Sequence, residues 1–84
     1  MKLELTTYQS TGMGYYWNIY NSEINFEMIQ CLIKHVGFAR DYGAEPKRLY
    51  QIILKDGNKL HTDLGGYRKI LKFSREYGVE LDVR

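Results

Sequence analysis

The side chains of this 84-residue sequence that could do chemistry are few, and their spacing matches no common active site. Cys31 and His35 lie four residues apart, but a zinc site needs four donors and only His61 could join them. A small nuclease could be imagined around His61, Asp63 and Arg68. It would lack a nucleophile with its base, a recognisable carboxylate pair and a nucleotide motif. We therefore predict no catalytic residues, no metal and no cofactor, and a protein that is not an enzyme.

Two glycines precede a predicted basic helix and could form an anion site. Gly65 and Gly66 could present backbone N–H groups to a phosphate at the helix N-terminus, close to Arg68 and Lys69. The stretch lacks the spacing of the Walker and dinucleotide-binding motifs. We favour the alternative interpretation, in which the glycines form a hinge or a point of tight packing.

The predicted helix after these glycines has a basic outer face. Arg68, Lys72 and Arg75 recur at spacings of four and three, and Lys69 lies beside them. Only Glu76 stands four residues from one of these cations, so the stripe is weakly neutralised. Such a face could contact phosphates or an acidic protein surface, and it could equally be a solvated helix surface.

Tyrosine is abundant, with eight residues in 84. We predict that Tyr8, Tyr16, Tyr20 and Tyr50 share the sheet face that points away from the helices. Exposed tyrosines provide contact area at a small entropic cost, and aromatic residues on an RRM-like sheet stack on bases. The predicted strand 58–62 lacks the aromatic residues of an RRM, which disfavours base stacking. The predicted partner-binding residues are therefore these four tyrosines with Arg68, Lys69, Lys72 and Arg75.

Hydrophobic periodicity and turn residues predict seven elements. Alternation of apolar and polar residues indicates strands, and Asp56-Gly57 is a strong hairpin signal. Asn25 is a suitable N-cap for the first helix, and Asp63 or Thr62 for the second. A hairpin is expected across Gly12-Met13-Gly14. The predicted elements are strands 3–8 and 15–21, a helix 25–42, strands 48–55 and 58–62, a helix to 77 and a strand 79–83. The second helix begins after its cap or, because Gly65 and Gly66 weaken the first turn, only at Tyr67.

This order predicts an α+β fold in one compact domain, 1–84. Without its first strand the order is βαββαβ, the ferredoxin-like pattern, so we expect ββαββαβ with a five-stranded, mostly antiparallel sheet and two helices on one face. An internal repeat supports two similar units, because 38–45 and 73–80 share five identities. Each copy is interpreted as a helix end, with Gly43 or Gly78 in the left-handed conformation.

Function is predicted from size, charge and composition. We expect neither a leader nor a membrane span, and a single cysteine fits a reduced compartment, so a cytoplasmic protein is predicted. The leading hypothesis is a small binding protein that docks on a larger macromolecule.

In size and composition such a chain is similar in kind to the inhibitors and regulators of phages and mobile elements, such as anti-CRISPR proteins. The partner would then be a nucleic-acid-handling protein. One alternative is an RRM-like module that binds single-stranded nucleic acid directly. The other is a homodimeric structural module that buries the first helix or pairs sheet edges.

Overall fold

A computed structural model describes residues 1–10, 17–39 and 46–84. In these ranges, six strands form one sheet and a single α-helix packs against it. The strands are β1 (Lys2–Ser10), β2 (Trp17–Asn25), β3 (Ile29–Ala39), β4 (Lys47–Leu54), β5 (Lys59–Thr62) and β6 (Asp82–Val83); the helix α1 spans Leu64–Tyr77, and a 3₁₀ turn spans Phe26–Met28.

This architecture shows that the predicted ferredoxin-like fold is wrong. The sheet has six strands in the order β2-β1-β5-β4-β3-β6, where five were expected, and the described ranges hold one α-helix where two were expected. Neighbouring strands are antiparallel except β3 and β6, which are parallel. Consequently β5, α1 and β6 form a crossover connection that passes β4 and β3 in the sheet order, and α1 itself packs against β1, β4 and β5.

The predicted helix 25–42 is the main error. The described part of this segment, 26–39, forms the 3₁₀ turn and then β3, which pairs with β4. The apolar residues of this segment have helical spacing, but a continuous apolar run fits a buried strand equally well. Pairing with β4 decides between the two, because Leu32 lies opposite Ile52 and both side chains are almost fully buried.

The two copies of the internal repeat have different structures. In the first copy, Phe38 and Ala39 end a strand, and 40–45, with Gly43, lies outside the described residues. In the second copy the helix stops as predicted. Gly78 has φ 65°, its N–H donates to Arg75 O at 3.4 Å, and the Val79 N–H donates to Ser74 O at 3.0 Å. These two bonds define a Schellman motif.

Several local predictions are confirmed. β1 and β2 form an antiparallel hairpin, and β4 turns into β5 through Asp56-Gly57. In that turn Gly57 has φ 90°, and the Asp56 carboxylate accepts a bond from the Asn58 N–H at 2.9 Å. Asp63 caps α1, which begins at Leu64 despite its two glycines.

A short connection forces the sheet to curl. β2 and β3 are separated by three strands, so a flat sheet would hold them about 19 Å apart. The turn Phe26–Met28 reaches at most about 14 Å between the flanking residues. Its ends are fixed on two different strands, because the Phe26 N–H donates to Met1 O and the Lys55 N–H donates to Met28 O, both at 2.8 Å. The sheet therefore bends until the beginning of β1 and the end of β4 meet this turn.

The helix packs against the apolar side chains enclosed by the curled sheet. Tyr67 and Ile70 of α1 are buried there, and Phe73 contacts Phe26 with ring centroids 4.7 Å apart. The buried core consists of Leu3, Leu5, Ile24, Phe26, Ile29, Leu32, Tyr50, Ile52, Tyr67 and Ile70. A second, smaller cluster contains Tyr8, Ala39 and Leu49, with Trp17 packed against it.

The start of α1 approaches the sheet very closely. A Cβ on Gly66 would lie 1.9 Å from Thr62 Oγ1, and that hydroxyl is buried and donates to Thr6 O at 2.8 Å. The expected tight packing point is therefore confirmed at Gly66. In the described part of the chain, no helix is both long and apolar enough to cross a bilayer.

We predict that Gly66→Ala destabilises the protein by about 1–3 kcal/mol, because overpacking outweighs the improved helix propensity of alanine. Gly65→Ala is the matched control, since Gly65 is exposed and its added Cβ would lie 3.3 Å from Asp63 Oδ1. Urea unfolding of both variants measures the difference. A Gly66→Ala protein as stable as the control would contradict the close approach.

A second prediction concerns the helix stop. Gly78→Val should lower the free energy of unfolding by about 1–2 kcal/mol, because a β-branched residue resists positive φ. Gly78→Asn should lower the free energy of unfolding less, since asparagine tolerates the left-handed region. Chemical denaturation of the two variants side by side tests this order. If the Val and Asn variants are equally stable, the left-handed conformation of residue 78 does not matter for stability.

Candidate functional site

The tyrosines that the structure describes do not share the predicted sheet face. Tyr8 is 4% exposed and donates its O–H to Asp63 Oδ2 at 2.8 Å. Tyr50 is also buried, and its ring stacks on Tyr67 with centroids 4.5 Å apart. Tyr20 is exposed, and Tyr16 lies outside the described residues. Two of the four tyrosines thus belong to packing clusters and are not available to a partner.

Strand register explains why the tyrosines separate. A hairpin centred on Met13 would place Tyr8 opposite Asn18 and on the same face as Tyr20. In the structure Tyr8 lies opposite Ile19, and Tyr20 lies opposite Thr7. Because side chains alternate between faces, this shift of one residue puts Tyr8 and Tyr20 on opposite sides of the sheet.

The basic residues of α1 lie at the surface, as predicted. Arg68, Lys69, Lys72 and Arg75 are all exposed, on the side of the helix opposite the buried Ile70. Lys69 donates from Nζ to Glu4 O at 2.7 Å, and Lys72 lies 4.0 Å from a Glu76 carboxylate oxygen. Among the described residues, Arg68 and Arg75 have no salt bridge.

The fold places a further basic residue, from the sheet, beside the first residue of α1. Arg48 of β4 and Leu64 of α1 line one shallow cavity, and both side chains are exposed. Sequence reasoning missed Arg48 because it lies sixteen residues before Leu64, and only packing brings the two residues together. We call Arg48, Leu64, Arg68, Lys72 and Arg75 the helix surface.

The possible phosphate site at the start of α1 is occupied by the protein itself. The Gly66 N–H donates to Asp63 Oδ1 at 3.0 Å, and Gly66 is buried against the sheet. An external anion would have to displace or approach this carboxylate, which is electrostatically unfavourable. The N-terminus of α1 therefore functions as a capped helix end.

A groove opens where the sheet separates. β1 pairs with β5 only at Thr7 and Tyr8, although β1 continues to Ser10 and β5 begins at Lys59. The groove in this gap has a volume of about 590 Å³. Its lining residues are Thr7, Tyr8, Gln9, Ser10, Trp17, Tyr20, Asn21, Ser22, Lys59, Leu60 and His61. We call it the β1–β5 groove.

Two aromatic rings form one side of the β1–β5 groove. Trp17 and His61 meet edge to face, with ring centroids 5.2 Å apart and an interplanar angle of 65°. Burial lowers the pKa of His61 below its ordinary value, so the ring is mainly neutral near pH 7. The two residues are 44 positions apart, and the pairings β1–β2 and β1–β5 together bring them into contact.

The structure removes the spacing on which a Cys31–His35 metal pair would depend. Both residues belong to β3, so the helical arrangement on which the predicted pair depended is absent, and Cys31 is 2% exposed. In the part of the chain that the structure describes, no group of three His, Cys, Asp or Glu residues could hold a metal.

Comparisons of the chain with protein-family models, with curated proteins and with solved structures found no match. Function is therefore inferred from the helix surface and the β1–β5 groove.

The lowered pKa of His61 leads to a pH prediction. The neutral imidazole contributes its full stability above the unfolded pKa of about 6.5, and this contribution is lost as pH falls through the lower folded pKa. We expect the melting temperature of the native protein to fall more between about pH 7.5 and pH 5.5 than that of His61→Gln. Parallel thermal melts test this, and identical pH dependence would show that His61 titrates normally.

Proposed function

We propose that this protein is a non-catalytic binding protein that docks on an acidic surface of a larger protein through its helix surface. The observation that carries the proposal is the pair of exposed arginines, Arg68 and Arg75, which have no carboxylate partner within the described residues. An acidic partner would neutralise them, and long-range attraction would accelerate association.

The chemistry of the helix surface favours a protein partner over a purely electrostatic contact. Arginine is enriched in interface hot spots, where its planar guanidinium forms paired bonds to carboxylates. Leu64 is 40% exposed beside Arg48, so an apolar contact lies next to the charges. Binding of phosphates alone would make no use of that leucine.

We also propose a narrower biological role. The partner is a nucleic-acid-handling protein, and the chain acts in the cytoplasm as an inhibitor or regulator of the kind encoded by phages and mobile elements. The exposed basic residues of α1 support this role, because they could contact an acidic patch of such a partner or the nucleic-acid backbone bound to it.

The two alternatives have less support. An RRM-like sheet would need exposed aromatics, and Tyr8 and Tyr50 are buried. A dimer formed by burying the predicted first helix is excluded by β3, which occupies that segment. Pairing between sheet edges stays a hypothesis, for which strict monomer behaviour in light scattering is the contrary result.

The test compares two double variants with the same change in net charge. Arg68→Glu with Arg75→Glu alters the helix surface, whereas Lys34→Glu with Lys55→Glu alters exposed cations elsewhere. We expect the native protein and the control to capture the same partner from a nuclease-treated lysate. The helix variant should capture it at least about tenfold less, since each lost arginine removes on the order of 1 kcal/mol.

Two further results would count against this proposal. Equal capture by the helix variant would show that the stripe is a solvated face. Loss of capture on nuclease treatment alone would show that nucleic acid, and not a protein surface, is the partner. Capture should also weaken between about 0.1 M and 0.5 M salt, because exposed charges are screened.

A further inference from the structure

The β1–β5 groove has the dimensions of a ligand site. Its volume of about 590 Å³ lies within the range of small-molecule pockets, which is about 300–1,000 Å³. It exists because β1 and β5 stop pairing after Tyr8 and His61, so that the space between two strands of one sheet is open. Residues that point to both faces of the sheet can therefore line it.

The aromatic side of the groove is held in place before any ligand binds. Trp17 packs against the cluster of Tyr8, Ala39 and Leu49, and its edge contact with His61 fixes its position further. Tyr20, which is 47% exposed, lines the same groove. Stacking of a base on such a ring contributes about 1–3 kcal/mol and depends little on base identity.

The charged and polar groups of the groove suit an anion. Among the described residues that line it are Lys59 and His61, and none of them is Asp or Glu. Lys59 is exposed and has no salt bridge among the described residues. The amides of Gln9 and Asn21 can both donate and accept, as the edge of a base requires.

We propose that the β1–β5 groove binds a nucleobase together with its phosphate. The base stacks against Trp17 or Tyr20, and the phosphate contacts the Lys59 ammonium group. A free nucleotide and a nucleotide within a single strand share this chemistry. The proposal is independent of docking through the helix surface, because the two sites share no residue.

The sequence supplies a direct reporter, since Trp17 is its single tryptophan. Its emission is recorded during titration with thymidine monophosphate and, separately, with an oligothymidylate of about eight residues. We expect saturable quenching by at least one probe. Quenching by both probes would show that a free nucleotide is sufficient for binding. Quenching by the oligonucleotide alone would show that the groove binds a nucleotide only within a single strand.

Matched variants locate the binding. Lys59→Glu should weaken binding about tenfold or more. It should also reduce the slope of log affinity against log salt concentration by about one, the value for one lost phosphate contact. Lys55→Glu makes the same charge change at an exposed lysine outside the groove lining and should bind as the native protein does. Tyr20→Ala keeps the reporter and should bind more weakly if its ring stacks.

Specific results would overturn the proposal. One is that neither probe quenches the emission at about 1 mM, since a dissociation constant above that concentration would mean very weak binding. Another is equal affinity of Lys59→Glu and Lys55→Glu, which would place the anion elsewhere. Circular dichroism confirms that each variant is folded. The double variant Arg68→Glu with Arg75→Glu should retain quenching, so a failure of docking and a failure of the groove can be told apart.

Discussion

The turn Phe26–Met28 is the constraint on which the rest of this structure depends. It joins two strands that three others separate, and it is too short to cross a flat sheet. The resulting curl gives the sheet a concave side large enough for one helix. Phe26 belongs to the core enclosed there and contacts Phe73 of α1, so the turn and the helix stabilise each other.

One carboxylate fixes the orientation of that helix. Asp63 accepts the Gly66 N–H through Oδ1 and the Tyr8 O–H through Oδ2, so the same residue caps α1 and ties it to β1. The close approach of Gly66 to Thr62 sets the distance. With the start of α1 fixed and Ile70 buried, the basic side chains can only point outward.

The two candidate sites have different origins. The helix surface consists of residues that the core leaves outside, and its positive charge is a property of α1 with one addition from β4. The β1–β5 groove is a defect in strand pairing, and its aromatic residues come from different strands. The abundance of tyrosine suggested a binding face, but Tyr8, Tyr50 and Tyr67 are used for packing.

Local sequence determined the β1–β2 hairpin, the Asp56-Gly57 turn, the Asp63 cap, the Gly78 stop and the outward basic stripe. Each of these depends on residues within a few positions of one another, so short-range stereochemistry is sufficient. The tertiary structure alone decided the conformation of 29–39, because an apolar run carries no period that separates a helix from a buried strand.

It also decided which tyrosines are exposed, since a hairpin register shifted by one residue exchanges the two faces of a strand. Arg48 beside Leu64, and Trp17 against His61, could not be predicted for the same reason. Their proximity is set by pairing and packing between distant segments, and the residues between them do not predict it.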